Sequence, residues 1–347
     1  MSSQSIAVSA ERPLAADAGT RLDWLVIGAI AWLVGGLYAD GWAHNNGLPD
    51  SFWTVWHAIF YSGYAAVAAI VLGAIALRRP RAVGWREAIP RGYSGAAAGA
   101  VVFGIGGILD MGWHTAFGIE LGNDALLSPS HLVLGLGMFL MVSGPLVADL
   151  HRRDQSASLA HRLPMVLSVV AIFLLLTFFT MYSGPYSNFL GASGNGTSGD
   201  RLFRGLLGMF LFTGFVSGLL LMVLRGTRLP VGSITLLLGL DGVAMILMTS
   251  RNTPVDAQLA FSGVAIGSGI IGDLLLWRLR PSAARPIALR ALVALLPMAY
   301  FAVYFAVVGA RYGFGWSFNF LMGSVFLCGT LGLLLSFVTL PPATEEN

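Results

Sequence analysis

The chain has no lysine; all 20 of its basic residues are arginine. It has one cysteine, Cys328, set in an apolar run, so a single chain can form neither a disulfide nor a thiolate metal cluster. Charge is scarce: Asp, Glu, Lys and Arg make up 11% of the 347 residues, against about 25% in a soluble domain. That is too little polar surface to coat a water-facing exterior. Histidine stops at His161, so the second half of the chain has no imidazole to offer.

Apolar residues dominate instead, at 56% of the chain, with a mean hydropathy of +0.75. Long apolar runs recur at membrane-crossing length, which predicts an all-α fold, a polytopic transmembrane helical bundle. Ten spans are expected, at roughly 22–41, 51–77, 93–116, 128–149, 164–183, 202–224, 230–249, 258–277, 288–310 and 316–339. They divide the chain into an N-terminal tail (1–21), a four-helix half (22–150), a six-helix half (151–339) and a C-terminal tail (340–347). Met1 to Thr20 is polar and lacks the basic head and cleavage site of a signal peptide, so the first span is expected to be retained.

A pI near 9.2 would suit nucleic acid, but the arginines cluster in short loops between spans. That is an orientation signal, and no nucleic-acid partner is expected. Sixteen arginines fall on one side of the predicted membrane; only Arg201, Arg204, Arg251 and Arg311 fall on the other. The positive-inside rule then puts both termini in the cytoplasm of a cell whose inner membrane holds the chain, a bacterial cytoplasmic membrane.

Two stretches stand out. The first, Asp40 to His57, reads DGWAHNNGLPDSFWTVWH; the second, Asp110 to His131, reads DMGWHTAFGIELGNDALLSPSH. Each has Asp, three residues, His, then a second His after a polar turn. Four of the six histidines lie in these two copies. Asp40 and His44, like Asp110 and His114, share one helical face. Each pair ends an outward-running span, so all six residues fall toward the extracytoplasmic face. The next helix is expected to start at Asp50-Ser51 in the first copy and at Ser128-Pro129 in the second. Glycines around both copies, among them Gly35, Gly36, Gly104, Gly106, Gly107, Gly135 and Gly137, allow close helix approach.

Each hairpin therefore gathers one carboxylate and two imidazoles, a set that leaves open positions on a metal and suits copper, iron or zinc. One interfacial histidine is more often hydrogen-bonded structure. Two matched copies of three ionisable residues, each costly at membrane depth, weigh toward metal binding. Asn45, Asn46, Glu120 and Asp124 lie in the outer loops as candidates to orient the imidazoles. Asp50 reads as a helix cap, and Met111, Met138 and Met141 as core. Phe52, Trp53, Trp56, Phe60, Tyr61 and Trp113 are candidates for an apolar pocket or for interface anchoring.

The spacing Asp40-x3-His44-x12-His57 resembles the copper-binding motif in the C subunit of the copper membrane monooxygenases, the methane and ammonia monooxygenase family. The resemblance covers about residues 22–150 and includes a second triad about 70 residues on. It implies copper held by Asp40, His44 and His57, and a second site at Asp110, His114 and His131, where the family's Asn is replaced by Asp110 and the His–His gap is wider. It also implies companion subunits or a quinol as reductant; nothing here matches the family's soluble copper subunit.

In the second half, Asp241 and Asp273 sit within apolar spans. Asp241 is a candidate intramembrane charge site. Asp273 is expected to snorkel toward water with Arg278. The loop Gly184 to Asp200, rich in glycine and serine, reads as flexible, a lid over the site.

The leading expectation is a copper-dependent membrane oxidoreductase, monooxygenase-like, acting on a small apolar substrate at the extracytoplasmic side, with lipid as its surroundings and its catalytic residues unassigned. The alternatives are a transporter or metal-handling protein, with Asp241 and the histidines on an ion path, and a zinc-dependent intramembrane hydrolase.

Overall fold

The computed structural model describes residues 4–48, 51, 53–82, 84–118, 122–152, 158–193, 198–249 and 253–339. Among these, every regular element is helical. The order is α1 (Gln4–Asn45), α2 (Val55–Arg78), α3 (Trp85–Ala88), α4 (Ser94–Phe117), α5 (Asn123–Leu127), α6 (Pro129–Val142), α7 (Gly144–Arg152), α8 (Leu159–Phe179), α9 (Pro185–Asn188), α10 (Gly199–Gly226), α11 (Ser233–Met248), α12 (Val255–Leu279), α13 (Pro286–Tyr312) and α14 (Phe318–Thr339).

Nine segments of the described residues are long and apolar enough to cross a membrane, with α6 and α7 counting together as one. The chain is therefore an integral membrane protein by length and composition. The tenth expected span, 230–249, is the 16-residue α11. At 1.5 Å per residue that helix is about 24 Å long, short of a hydrocarbon core of about 30 Å. Its first turn is held from outside. Gly232 precedes it and has no side chain to cap with. Asp273 of α12 accepts hydrogen bonds from the amides of Ile234 (3.1 Å) and Thr235 (2.9 Å) and from the Thr235 hydroxyl (2.6 Å). Asp273 is thus a buried cap rather than a snorkelling partner of Arg278: two orphan amides at a helix start satisfy a carboxylate better than a distant guanidinium does.

The chain forms two compact units. One comprises residues 1–43 and 47–172; the other comprises residues 173–347 together with 44–46, the end of α1. In the first unit, glycines decide how closely helices cross. A Cβ on Gly36 would lie 2.7 Å from the Phe60 Cα, and one on Gly63 would lie 2.6 Å from the Leu33 Cα, so α1 and α2 touch backbone to backbone. The helices α4 and α6 do the same: a Cβ on Gly137 would lie 2.6 Å from the Phe103 amide nitrogen, and one on Gly106 would lie 3.1 Å from the Leu134 amide nitrogen. At its other end this unit is tied by Asp23, which is fully buried. Asp23 accepts from the Tyr93 hydroxyl (2.7 Å) and the Arg152 guanidinium (2.5 Å), joining α1, the start of α4 and α7. Burial first, then the Asp23 carboxylate, pushes the Tyr93 phenol well above its ordinary pKa, so it stays a donor.

In the second unit, the segment expected to be a flexible lid is packed over its described part. Tyr186, Leu190 and Ala192 are buried, and the Tyr304 hydroxyl donates to the Pro185 carbonyl (2.7 Å). The apolar side chains between the glycines, Pro185, Tyr186 and Leu190, give this loop a core of its own. Residues 194–197 lie outside the described set.

The close crossings give a direct check. Gly36→Ala places a methyl against backbone that cannot rotate away, and should cost about 1–3 kcal/mol. Gly112→Ala, on α4 with nothing within 4 Å of the new methyl, should be neutral or stabilising by up to about 1 kcal/mol. Thermal unfolding of the purified chain in detergent should therefore show a lowered Tm for the first variant only.

Candidate metal centre

The six residues singled out by spacing come together as two groups. One ligand atom each from Asp40, His44 and His57 lies within 4.8 Å of the others, and the same is true of Asp110, His114 and His131. Helical spacing accounts for the first two members of each set, Asp then His on one face at the end of α1 or α4. The third member arrives through the glycine crossing. In each hairpin a glycine one turn before the aspartate (Gly36, Gly106) receives the backbone of the residue three after the second histidine (Phe60, Leu134).

The second histidine is placed by a cap. Thr54 is the N-cap of α2 and Ser128 that of α6; each accepts from the amide of the histidine three residues on, His57 (3.3 Å) or His131 (3.4 Å). The helix α2 therefore starts several residues later than the expected Asp50-Ser51. His57 sits in its first turn, as His131 does in α6, because Thr54 and not Ser51 is the cap. Ser51 instead offers its carbonyl to the His57 Nδ1 (3.1 Å). Asp50 lies outside the described residues.

These contacts assign the ring tautomers. A main-chain carbonyl only accepts, so the His57 Nδ1 facing Ser51 and the His114 Nδ1 facing the Gly118 carbonyl (3.3 Å) each carry the hydrogen. At the second centre a chain runs from the His131 Nδ1 to the Ser128 hydroxyl (2.7 Å), to Ser130 (3.3 Å), and from Ser130 into Asp110 Oδ1 (2.9 Å). Read as donors toward the carboxylate, every hydroxyl in it is used once. The Nε2 atoms are then turned inward. They meet carboxylate oxygen: His57 Nε2 lies 3.7 Å from Asp40 Oδ1, His114 Nε2 3.5 Å from Asp110 Oδ1, and His131 Nε2 3.2 Å from the same oxygen.

Asp110 is 1% exposed; Asp40, His114 and His131 are half-buried, His57 is buried and His44 is exposed.

Tyr61, one turn beyond His57, donates to Asp110 Oδ2 (3.4 Å), and its ring centre lies 6.4 Å from that of His57. Of the loop residues expected to orient the imidazoles, Asn45 and Asp124 are exposed, Asn46 is buried at the end of α1, and Glu120 lies outside the described residues. Partners of the two groups include Thr54, Ser128, Ser130, Tyr61 and the carbonyls of Ser51 and Gly118. The signal was present: Thr54 and Ser128 each stand three residues before a histidine. Phe60 and Tyr61 pack edge-on against Phe103 at 5.5 and 5.8 Å, and Trp42 against Trp56 at 5.7 Å. Met138 and Met141 are core, as expected, whereas Met111 on α4 is 42% exposed. No family model, curated protein or solved structure matches the chain.

The shared hydrogen-bond chain makes a testable cycle. Ser128→Ala should cost about 1 kcal/mol through the lost cap, and Ser130→Ala about 1 kcal/mol through the lost bond to Asp110. Because the two hydroxyls act in series, the double variant should differ from the sum by at least about 0.5 kcal/mol. Denaturant or thermal unfolding of the four proteins reads it out.

Proposed function

We propose that the chain is a metal-dependent membrane oxidoreductase whose two centres are Asp40, His44, His57 and Asp110, His114, His131. The observation that carries this reading is that one ligand atom each from an aspartate and two histidines lies within 4.8 Å of the others, twice, with the Nε2 atoms of His57, His114 and His131 at 3.2–3.7 Å from a carboxylate oxygen. Both sets are built alike, with a capping hydroxyl three residues before the second histidine and main-chain carbonyls or hydroxyls on Nδ1. Such outer hydrogen bonds fix ring orientation and raise ligand basicity.

The donor set of two imidazoles and a carboxylate suits copper, iron or zinc. The resemblance of the spacing to the copper membrane monooxygenases favours copper, and with it a small apolar substrate met from the lipid side. A metal bound there would supply open coordination positions and redox chemistry. The protein's own part is to hold three ligands from two helix ends and to place the hydroxyls of Ser130 and Tyr61 on Asp110.

The two hairpins read as tandem copies. If α11 crosses with its neighbours, ten crossings return the C-terminus to the side of the N-terminus. The arginine distribution puts both in the cytoplasm and both centres at the extracytoplasmic face. The reductant on this reading is a membrane quinol or a companion subunit.

Metal analysis tests it. Purified chain loaded with copper should hold up to two equivalents; His57→Ala should lose one, His131→Ala the other, and the double variant both. Retention of full copper in the double variant, or stoichiometric zinc in place of copper in the chain as isolated, would sink the copper reading.

A further inference from the structure

The second unit contains a buried carboxylate that the metal reading does not use. Asp241 lies in the middle of α11 and is 1% exposed. It accepts a hydrogen bond from the Thr177 hydroxyl on α8, 2.5 Å from Oδ1. Beside it is a cavity with ≈ 20 Å³ open to the centre of a water-sized sphere. Thr177, Thr180, Ser183, Tyr186 and Phe212 line it with Asp241, and among the described residues no arginine or histidine does.

The cavity sits where the chain stops being regular. The helix α8 ends at Phe179, a 3-10 turn follows at Met181–Ser183, and Gly184 is extended before the single turn of α9. Backbone irregularity at membrane depth is tolerated where it lines a cavity, and broken helices there coordinate small cations.

The groups facing Asp241 are few. From α9 and α13 come the Tyr186 and Tyr300 hydroxyls, hydrogen-bonded to one another, with Tyr304 bonded to the Pro185 carbonyl. From α12 the facing residue is Ala265, whose Cβ approaches Gly242. Asp273 on α12 is committed to the first amides of α11. From α10 come Gly208, Phe212 and Phe215. No cation is among them.

Thr177 shows how the site works. Its hydroxyl has one hydrogen and three acceptors in reach: Asp241 Oδ1, the Phe173 carbonyl (3.0 Å) and the Leu174 carbonyl (3.1 Å). When Asp241 is ionised, that hydrogen points to the carboxylate. When Asp241 carries a proton, the acid donates to the Thr177 oxygen and the threonine turns its hydrogen to Phe173. Both states are bonded, and one hydroxyl rotation separates them.

We propose that Asp241 and its cavity form a binding site for a small monocation taken from water, a proton or a sodium ion. Size sets the class: ≈ 20 Å³ admits about one water-sized particle, too little for an organic cation. A divalent ion such as calcium wants six to eight oxygens, usually with several carboxylates, and here there is one. For sodium, the Asp241 carboxylate and the hydroxyls of Thr177, Thr180 and Ser183 supply the oxygens.

The test uses the full chain in detergent and reads Tm. Wild type, Asp241→Asn and Thr177→Val are followed from acid to alkaline pH in sodium-free choline buffer, and then with sodium replacing choline at alkaline pH. A ligand that binds the folded chain stabilises it by mass action. The wild type should gain several degrees on acidification, which assigns a proton, or on adding sodium, which assigns sodium. Asp241→Asn should show neither gain and stay near the wild type's acid value, and Thr177→Val should move the midpoint. A response in Asp241→Asn equal to that of wild type overturns the proposal. If Asp241→Asn does not fold, an unmoved midpoint in Thr177→Val overturns it by itself. Copper content is not part of this readout, so failure here leaves the metal reading standing, and the reverse also holds.

Discussion

An aspartate and two histidines are brought within reach of one another at two places in this protein, and that juxtaposition is the constraint around which the hairpins are arranged. In water the three groups would part or one ring would take a proton. Here helix geometry holds their ligand atoms within 4.8 Å, twice over. An unanswered charge at membrane depth costs roughly 2.5 kcal/mol or more on insertion scales. On the metal reading proposed above, a bound cation would meet that cost.

What brings the groups together is mostly glycine and hydroxyl, not the ligands themselves. The crossings at Gly36 and Gly106 let the second helix of each hairpin come near enough for its first turn to reach the aspartate. The caps at Thr54 and Ser128 then fix where that first turn begins. A cap shifted by one residue would swing the histidine about 100° around the helix, away from its partners. Placement of the site thus rests on small residues whose own chemistry is unremarked in the ligand set.

The membrane class and the identity of the two triads were legible in the sequence because they depend on composition and on i, i+4 spacing, both local. The position of α2's first turn was not. Ser51 and Thr54 are each competent caps, and only the tertiary crossing at Phe60 selects between them. The role of Asp273 was hidden for the same reason. Its partners are amides 38 and 39 residues earlier in the chain, and no window along the sequence reveals that Gly232 leaves them uncapped. The packing of the loop at Tyr186 was masked by its glycines, since composition averages over side chains that individually find a core. Asp23 gave no signal in the sequence because its partner Arg152 lies 129 residues away.

The helix ends give the two centres a further logic. Asp40, His44, Asp110 and His114 stand at the carboxyl ends of α1 and α4, where outward-facing carbonyls make the field negative and favour a cation. His57 and His131 stand in the first turns of α2 and α6, where the field is positive and favours the carboxylates that face them. A cation placed between a carboxyl end and an amino end would be drawn by the first and repelled by the second, so the dipoles alone would nearly cancel. On the metal reading proposed above, the aspartate would break that balance by screening the amino end, so Asp40 and Asp110 would be the members of each set on which affinity depends most.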